Sequence, residues 1–346
     1  MRRQLSLMIS FCVLITAAVC PAGAESDKRV LKVMTRNMDA GTDLGWFFVV
    51  PDVTTATALT LNEVLASDIP GRAELLADEI AARQPDFIAL QEVTLWQVGP
   101  PNGTPVIVLD QLELLLSALR TRHLDYAPVI VNPLTSVAAP ASNSEIVGFT
   151  DRDAILARRD LKQSEMALSN IQQHIYQAKF GFPIAGTTVP VLRGWESVDV
   201  KVRGKVFRLV DTHLESTIPG IPSAEAVQVA QANELLGDLR TTALPVILAG
   251  DFNANAEATP DHTATTDDIL AAGFTDTWRV FNNPFTGFTW PLFLEDFAAG
   301  TPVQPFERID LIFTRYLNTL GVQQSGLNAP YPSDHAGTVA VIEIVP

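Results

Sequence analysis

The sequence is poor in cysteine, and both of its cysteines lie within residues 1–24. This segment has the order of an export signal, with an arginine pair, an apolar run over residues 5–19 and a small-residue cleavage site that ends at Ala24. We therefore expect a signal peptide over 1–24 and a secreted or periplasmic protein. The remaining chain, residues 25–346, would contain no cysteine, which excludes a disulfide scaffold and a cysteine-ligated zinc site.

Basic residues are also scarce. The chain has 24 Lys and Arg against 39 Asp and Glu, and removal of the two arginines near the start would leave a formal charge of 22 − 39 = −17. This charge disfavours a basic groove that follows a nucleic-acid backbone. A polyanionic substrate would need cations to shield its approach.

No repeat, low-complexity tract or Gly/Ser linker divides residues 25–346, which predicts one domain. The nucleophile-elbow motif Gly-x-Ser-x-Gly is missing, so nothing indicates a covalent serine mechanism.

Short runs rich in β-branched and aromatic residues recur along the chain, and helical periodicity lies between them. This order predicts an α/β fold in which layers of sheet and helix pack with mostly antiparallel strand pairing. Three irregular stretches are interpreted as surface loops: Ala40 to Asn62, Gly99 to Val108, and Asn282 to Pro305. Strands are predicted at Leu31 to Met38, Asp86 to Val93, Asp153 to Ala157, Trp195 to Val202, Val206 to His213, Val246 to Asp251, Arg308 to Thr314 and Thr338 to Val345. Helices are predicted at Gly71 to Gln84, Leu109 to Arg120, Ala224 to Arg240 and Thr266 to Ala272.

Small polar clusters stand at the ends of the hydrophobic strands. If the strands share a sheet, their carboxylates, amides and two histidines would converge on one rim. Oxygen ligands of this kind suit Mg²⁺, Mn²⁺ or Ca²⁺, and the histidines are candidates for proton transfer. The clusters are Arg36-Asn37-Met38-Asp39, Gln91-Glu92, Asp211-Thr212-His213-Leu214-Glu215, Gly250-Asp251-Phe252-Asn253, Arg308-Ile309-Asp310 and Ser333-Asp334-His335.

The order of these clusters resembles the endonuclease/exonuclease/phosphatase superfamily, which includes secreted DNases, abasic endonucleases and neutral sphingomyelinases. The motifs that carry the resemblance are Gln-Glu, Thr-His-Leu, Gly-Asp-Phe-Asn, Ile-Asp and Ser-Asp-His, and they span Asn37 to His335. The segment Arg193-Gly194-Trp195 also resembles secreted bacterial members. The resemblance implies a four-layered α/β/β/α sandwich of two mostly antiparallel sheets flanked by helices.

The resemblance also implies a divalent cation, Mg²⁺ or alternatively Mn²⁺ or Ca²⁺. Glu92 and Asn37 would hold the ion, and Asp334 would complete the site. Some family nucleases place a further carboxylate at the position of Asp39, whereas many members lack it. The family often has Tyr or Asn near the segment that contains Asp153, so the role of Asp153 stays open.

For catalysis, the resemblance implies that Asp251 and Asn253 position the attacking water and the scissile phosphate. His335, oriented by Asp310, would contact a phosphate oxygen or transfer a proton. His213 corresponds to the second family histidine, on the other side of the phosphate.

The expected function is therefore a secreted, metal-dependent phosphodiesterase that resembles a nuclease. Its partner would be a phosphoester substrate (a nucleic acid, a phospholipid or a small phosphodiester), and no protein partner is implied. A lipid phosphodiesterase of the sphingomyelinase type is an alternative, because the Phe/Trp-rich loop 281–306 and Trp46-Phe47-Phe48-Val49-Val50 could contact a membrane surface. A catalytically silent binding module on the same fold is a third possibility.

Overall fold

The computed structural model describes residues 29–160, 166–184, 187–218, 221–259, 262–292 and 304–344. The predicted signal peptide lies outside these residues. Within them, none of the helices combines the length and the apolar character needed to cross a membrane.

Sixteen strands and seven helices make up the described part of the chain. The strands are β1 (Val30–Asn37), β2 (Phe87–Gln91), β3 (Leu95–Gly99), β4 (Val106–Asp110), β5 (Tyr126–Ser142), β6 (Glu145–Arg158), β7 (Met166–Ile175), β8 (Phe180–Ile184), β9 (Thr187–Val191), β10 (Gly194–Val202), β11 (Lys205–His213), β12 (Val246–Asp251), β13 (Thr275–Asp276), β14 (Asp310–Arg315), β15 (Asn318–Ser325) and β16 (Gly337–Glu343). The helices are α1 (Trp46–Val49), α2 (Val53–Ala66), α3 (Ile69–Arg83), α4 (Gln111–Thr121), α5 (Pro222–Leu239), α6 (Ala264–Ala271) and α7 (Thr277–Asn282).

Two large mixed sheets form the centre of the fold. The first has eight strands in the order β15-β16-β1-β2-β6-β3-β4, with β5 also paired to β6. The second has six strands in the order β13-β14-β12-β11-β10-β7, and β8 and β9 form a separate hairpin. Only the β1–β2 and β11–β12 pairs among these described strands are parallel, which agrees with the predicted mostly antiparallel arrangement.

The central strands are apolar on both faces because each sheet is covered on both sides. In β1, Val33 faces the layer between the sheets, whereas Met34 faces the helices outside. The same alternation holds in β12, where Ile247 points inward and Leu248 points outward. Helices α3 and α4 cover the first sheet, and α5 and α6 cover the second. The result is the α/β/β/α sandwich implied by the resemblance.

The prediction of a loop over Ala40 to Asn62 is wrong, because this segment contains α1 and the first half of α2. The Asp52 side chain caps α2 by accepting a hydrogen bond from the Thr55 backbone N–H at 2.8 Å. The buried face of α2 is formed by Ala56, Thr57, Thr60 and Val64. Because threonine is polar, the buried threonines interrupt the hydrophobic periodicity from which a helix is predicted.

The prediction of a loop over Gly99 to Val108 is also wrong in part, because β4 begins at Val106 and pairs with β3. The predicted strands also omit β3, β5, β7, β8, β9, β13 and β15. Of these, β7 and β15 lie at the edges of their sheets and expose much of their surface, so they lack the apolar pattern of a central strand. In Asn282 to Pro305, the described residues beyond Asn282 contain no helix or strand, and 293–303 lie outside the described residues.

Candidate active site

Strand register brings the polar clusters to one edge of the sandwich. In the second sheet, His213 pairs with Asp251, and Asp251 pairs with Asp310 on the neighbouring antiparallel strand. In the first sheet, Asn37 pairs with Gln91, and Glu92 follows directly. Because β1 and β2 run in parallel, as do β11 and β12, the carboxyl ends of these strands meet at a common rim.

Asn37 connects the two sheets at this rim. Its amide nitrogen donates to Glu92 Oε1 at 3.0 Å and to Asp251 Oδ2 at 2.9 Å. Its amide oxygen accepts a hydrogen bond from the backbone N–H of Asp39 at 2.8 Å. Asn37 therefore orients the two carboxylates in this arrangement, and its predicted role as a metal ligand stays a prediction.

His335 and Asp310 form a buried pair, as predicted. Asp310 Oδ2 lies 2.9 Å from His335 Nδ1, and Asp251 Oδ2 lies 3.8 Å from the same nitrogen. Burial alone would lower the pKa of the imidazole, but Asp310, Asp334 and Asp251 raise this pKa well above its usual range. The carboxylates around His335 therefore favour its protonated form. Arg36 fixes the backbone by donating to the His335 carbonyl oxygen.

Asp251 lies between the two histidines. Its Oδ1 accepts a hydrogen bond from the Asn253 backbone N–H at 2.9 Å. Burial and the neighbouring charge of Asp310 raise the pKa of this carboxyl group, although both histidines oppose the shift. A raised pKa makes the Asp251 carboxylate a better proton acceptor. Asn253 itself has a φ of +48°, and its amide nitrogen donates to the Leu214 carbonyl oxygen at 3.0 Å.

His213 lies on the other side of Asp251, at 3.8 Å, and is fully buried. Arg193 Nη1 lies 2.9 Å from each ring nitrogen of His213, and Asp153 Oδ1 lies 3.6 Å from Nδ1. Burial and the Arg193 charge lower the pKa of His213 to about 4. The surroundings of the two site histidines thus act in opposite directions: Arg193 and burial favour neutral His213, whereas carboxylates favour protonated His335.

Asp334 completes the rim from the first sheet, three residues before the start of β16. Its Oδ2 accepts a hydrogen bond from the Trp290 indole at 3.1 Å, and its Oδ1 lies 3.9 Å from His335 Nε2. Burial and the charges of Asp39 and Glu92 raise the pKa of Asp334 to about 7, although His335 opposes the shift. The Trp290 ring lies 6.3 Å from the His335 ring and makes an edge contact with Phe306, so it forms one wall of the site.

Asp39 lies close to this rim, but its carboxylate is paired with Arg72. Asp153 has no hydrogen-bond partner among the described residues for either carboxylate oxygen, and burial raises its pKa well above the usual range. The site thus contains more buried carboxylates than its side-chain cations neutralise.

Such an excess of acidic groups fits a divalent cation. Asp251, Asp310 and His335 bring one oxygen or nitrogen atom each within 4.8 Å of one another, which shows how densely charged groups are packed at this rim. Glu92 and Asp334 add carboxylates whose mutual repulsion a cation would relieve. Carboxylate and amide oxygens are the ligands preferred by Mg²⁺ and Mn²⁺. The residues present therefore fit the ion implied by the resemblance.

The two-sheet fold and the buried carboxylates and histidines at its rim are typical of the active site of a hydrolase. A family model described as the Endonuclease/Exonuclease/phosphatase family matches residues 64–335. The chain belongs to this family, whose members are typically metal-dependent phosphoesterases. A comparison with curated protein sequences gives no match.

Solved structures with the same fold cover almost the whole chain. An endonuclease/exonuclease/phosphatase from Bacteroides vulgatus superposes with a TM-score of 0.58 at 14% identity, covering 92% of this chain and 100% of the other. A protein of the same description from Beutenbergia cavernae gives 0.55 at 21% identity, with 92% and 72% covered. Truncated TDP2 from Caenorhabditis elegans gives 0.52 at 16% identity, with 91% and 98% covered. At these identities the similarity shows the fold alone.

Arg193, Arg72 and Trp290 were not among the predicted site residues. One feature of the sequence indicates the position of Arg193. Its neighbour Gly194 in β10 pairs with His213 in β11. A side chain at Gly194 would lie 2.2 Å from the His174 carbonyl oxygen, so glycine is required there. Arg72 lies within an ordinary helix pattern, and no feature of the sequence distinguishes it.

Proposed function

We propose that this protein is a divalent-metal-dependent phosphodiesterase that cleaves its substrate by attack of water, in the manner of a nuclease. The observation that carries the proposal is the buried Asp310–His335 pair, which lies beside Asp251 where the two sheets meet. A binding module without catalysis would not need a buried histidine that is hydrogen-bonded to one carboxylate and within 4 Å of a second.

In this mechanism Glu92 and Asp334 would hold the cation, while Asn37 orients Glu92. When bound, the cation would offset the negative charge of the phosphate oxygens and polarise the phosphoryl group. Asp251 would orient the attacking water and accept its proton.

His335 would donate a hydrogen bond to the phosphate or a proton to the leaving oxygen, and Asp310 holds its ring in place. Arg193 adds a buried positive charge on the opposite side, beside neutral His213. We infer that this charge favours entry of an anionic phosphodiester into an otherwise acidic site.

The test measures hydrolysis of bis-p-nitrophenyl phosphate, plasmid DNA and RNA by the purified protein with Mg²⁺, Mn²⁺ or EDTA. We expect metal-dependent turnover that Glu92→Gln and His335→Ala reduce by at least about 10²-fold. A matched control is Glu234→Gln on α5, which removes a carboxylate paired with His174 outside the site and should retain activity. Turnover in EDTA, or full activity in His335→Ala, would refute the mechanism.

A lipid phosphodiesterase of the sphingomyelinase type is a second candidate, favoured by an exposed aromatic patch. Phe48 in α1 is 54% exposed and Val49 is 70% exposed. The Phe48 ring lies 5.0 Å from the Phe182 ring in β8, which joins α1 to the β8–β9 hairpin. Residues 46–50 and 180–192 contain no charged side chain, so the patch suits contact with a zwitterionic lipid surface.

The predicted membrane contact through 281–306 is supported in part by its described residues. Phe285 is 73% exposed and Phe306 is 45% exposed, whereas 293–303 lie outside the described residues. Sphingomyelin hydrolysis and co-sedimentation with phosphatidylcholine vesicles test this candidate, with Phe48→Ser and Phe285→Ser as variants. Cleavage of lipid but not DNA would replace the nuclease assignment and leave the chemistry unchanged.

We also propose that the protein is exported and acts outside the cytoplasm, as the segment ending at Ala24 predicts. The test is amino-terminal sequencing of the protein recovered from the extracellular or periplasmic fraction. A first residue at or near Glu25 would support export, and retention of residues 1–24 on a protein found only in the cytoplasm would contradict it.

A further inference from the structure

We propose that Arg72 is a positioning residue of the metal centre. Its ion pair with Asp39 keeps the Asp39 carboxylate from binding the ion. The same pair fixes the loop of residues 38–40, which orients Glu92. This inference rests on the proposed function, because it concerns the same ion. It assigns Asp39 a different role from the additional metal ligand that the family resemblance implies.

The Asp39 carboxylate is fully engaged by protein groups. Its Oδ2 forms an ion pair with Arg72, and its Oδ1 accepts the Gly41 backbone N–H at 2.7 Å. Arg72 and Asp39 are only 8% and 5% exposed, so water does not screen their attraction. A carboxylate that already neutralises a buried guanidinium is a poor ligand for a second cation, because the two positive charges repel each other.

Arg72 also holds the backbone on either side of the carboxylate. Its Nη2 donates to the Met38 carbonyl oxygen at 3.0 Å and to the Asp39 carbonyl oxygen at 2.6 Å. Gln111 donates to the same Asp39 oxygen at 2.7 Å. Asp39 itself adopts a φ of +60°, a left-handed conformation that a non-glycine residue maintains only with support from its surroundings.

The fixed loop in turn holds Glu92. The backbone N–H of Ala40, next to Asp39, donates to Glu92 Oε2 at 2.8 Å. On the other side of Asp39, Asn37 donates to Glu92 Oε1 at 3.0 Å and accepts the Asp39 N–H. Both oxygens of Glu92 are therefore oriented by groups whose positions depend on the Arg72–Asp39 pair. Partners of this kind behind a metal ligand typically change metal affinity by about 10–100-fold when they are removed.

The two possible roles of Asp39 predict opposite effects of Arg72. If Asp39 were a ligand, removal of the competing guanidinium would leave Mn²⁺ binding as tight or tighter, and Asp39→Asn would weaken it in any background. If Asp39 acts with Arg72 as a positioning pair, either substitution weakens binding. The double variant is then no weaker than Arg72→Met alone, because both changes break the same unit.

The experiment measures Mn²⁺ affinity by electron paramagnetic resonance on the purified full chain. The variants are Arg72→Met, Asp39→Asn, their combination, and Glu92→Gln. We expect Arg72→Met to weaken Mn²⁺ binding about 10–100-fold and the double variant to match it. Unchanged or tighter binding in Arg72→Met would overturn the inference. The inference would also be overturned if Asp39→Asn weakened Mn²⁺ binding in the Arg72→Met background as much as it does in the wild type.

Two controls separate this inference from a general loss of structure and from the proposed function. Arg315→Met removes another arginine that is 8% exposed and binds the Leu239 carbonyl oxygen far from the rim, and it should leave Mn²⁺ affinity unchanged. If Arg72→Met does not fold, Arg72→Lys retains the charge but cannot hold both carbonyl oxygens and the carboxylate. It should still weaken binding several-fold, and wild-type affinity in this variant would overturn the inference. If wild type and Glu92→Gln bind Mn²⁺ equally, the proposed metal centre itself is refuted.

Discussion

The substitution Asp310→Asn tests the central pair of the proposed site while preserving its shape. Asp310 and His335 are 1% and 5% exposed, and their hydrogen bond is 2.9 Å long. Two unit charges about 4 Å apart attract by about 4 kcal/mol at an effective dielectric constant of about 20. Asp251, 3.8 Å from the same nitrogen, retains part of this attraction in the variant. The net loss should be roughly half to three quarters of this attraction, about 2–3 kcal/mol.

This loss has two measurable consequences. The pKa of His335 should fall, because Asp310 contributes the largest of the neighbouring charges that raise it. The turnover rate should fall by roughly 30- to 150-fold. The assays are titration of the His335 ring by NMR and steady-state hydrolysis of bis-p-nitrophenyl phosphate with saturating Mg²⁺.

The control for this variant is Asp199→Asn, which alters a carboxylate paired with Arg208 in the second sheet, away from the rim. It should change neither measurement. A turnover rate within threefold of wild type in Asp310→Asn, together with a lowered His335 pKa, would show that the charge of His335 does not take part in the reaction.

Three further predictions concern other parts of the site and its support. Mn²⁺ affinity should rise with pH through a midpoint near pH 7, because a proton competes with the ion for Asp334 below its pKa of about 7. Asp334→Asn should abolish this pH dependence. If the Mn²⁺ affinity of the variant still changed with pH, another group would be responsible. Arg193→Met should raise the pKa of His213 from about 4, since the guanidinium lowers it, and an unchanged value in an NMR titration would contradict this. Gly250→Ala should lower the free energy of unfolding by about 3 kcal/mol or more, because its φ is +152° and a Cβ would lie 2.0 Å from the Thr212 carbonyl oxygen. Gly237→Ala, where a Cβ meets nothing within 4 Å, is the control in denaturant unfolding.

The fold could be predicted from the sequence where strands are central and buried. Val246–Asp251 is apolar along its length and was predicted with its observed bounds, and Arg203-Gly204 forms the predicted turn between β10 and β11. Prediction failed where tertiary contacts, and not a hydrophobic pattern, determine structure. Helix α2 buries threonines, and β7 pairs at an edge with most of its side chains exposed.

The acidic groups and histidines of the site could be predicted because they lie beside recognisable strand ends. The structure brings His335, Asp310, Asp251 and Asn37 within direct contact. The arginines could not be found in this way, because a long side chain reaches the site from a distance in sequence. Arg72, for example, extends from α3 to a loop 33 residues earlier.

The site draws its groups from both sheets, with Glu92 and Asn37 on the first and Asp251 and Asp310 on the second. The proposed ion ligands Glu92 and Asp334 both belong to the first sheet, but Asn37, which orients Glu92, also donates to Asp251 of the second sheet. The arrangement around the ion is therefore complete only when the sheets are docked. Ion binding is thus linked to folding, and an ion at 100 times its dissociation constant would add about 2.7 kcal/mol to the free energy of unfolding. The protein should be most resistant to unfolding and proteolysis where divalent cations are abundant.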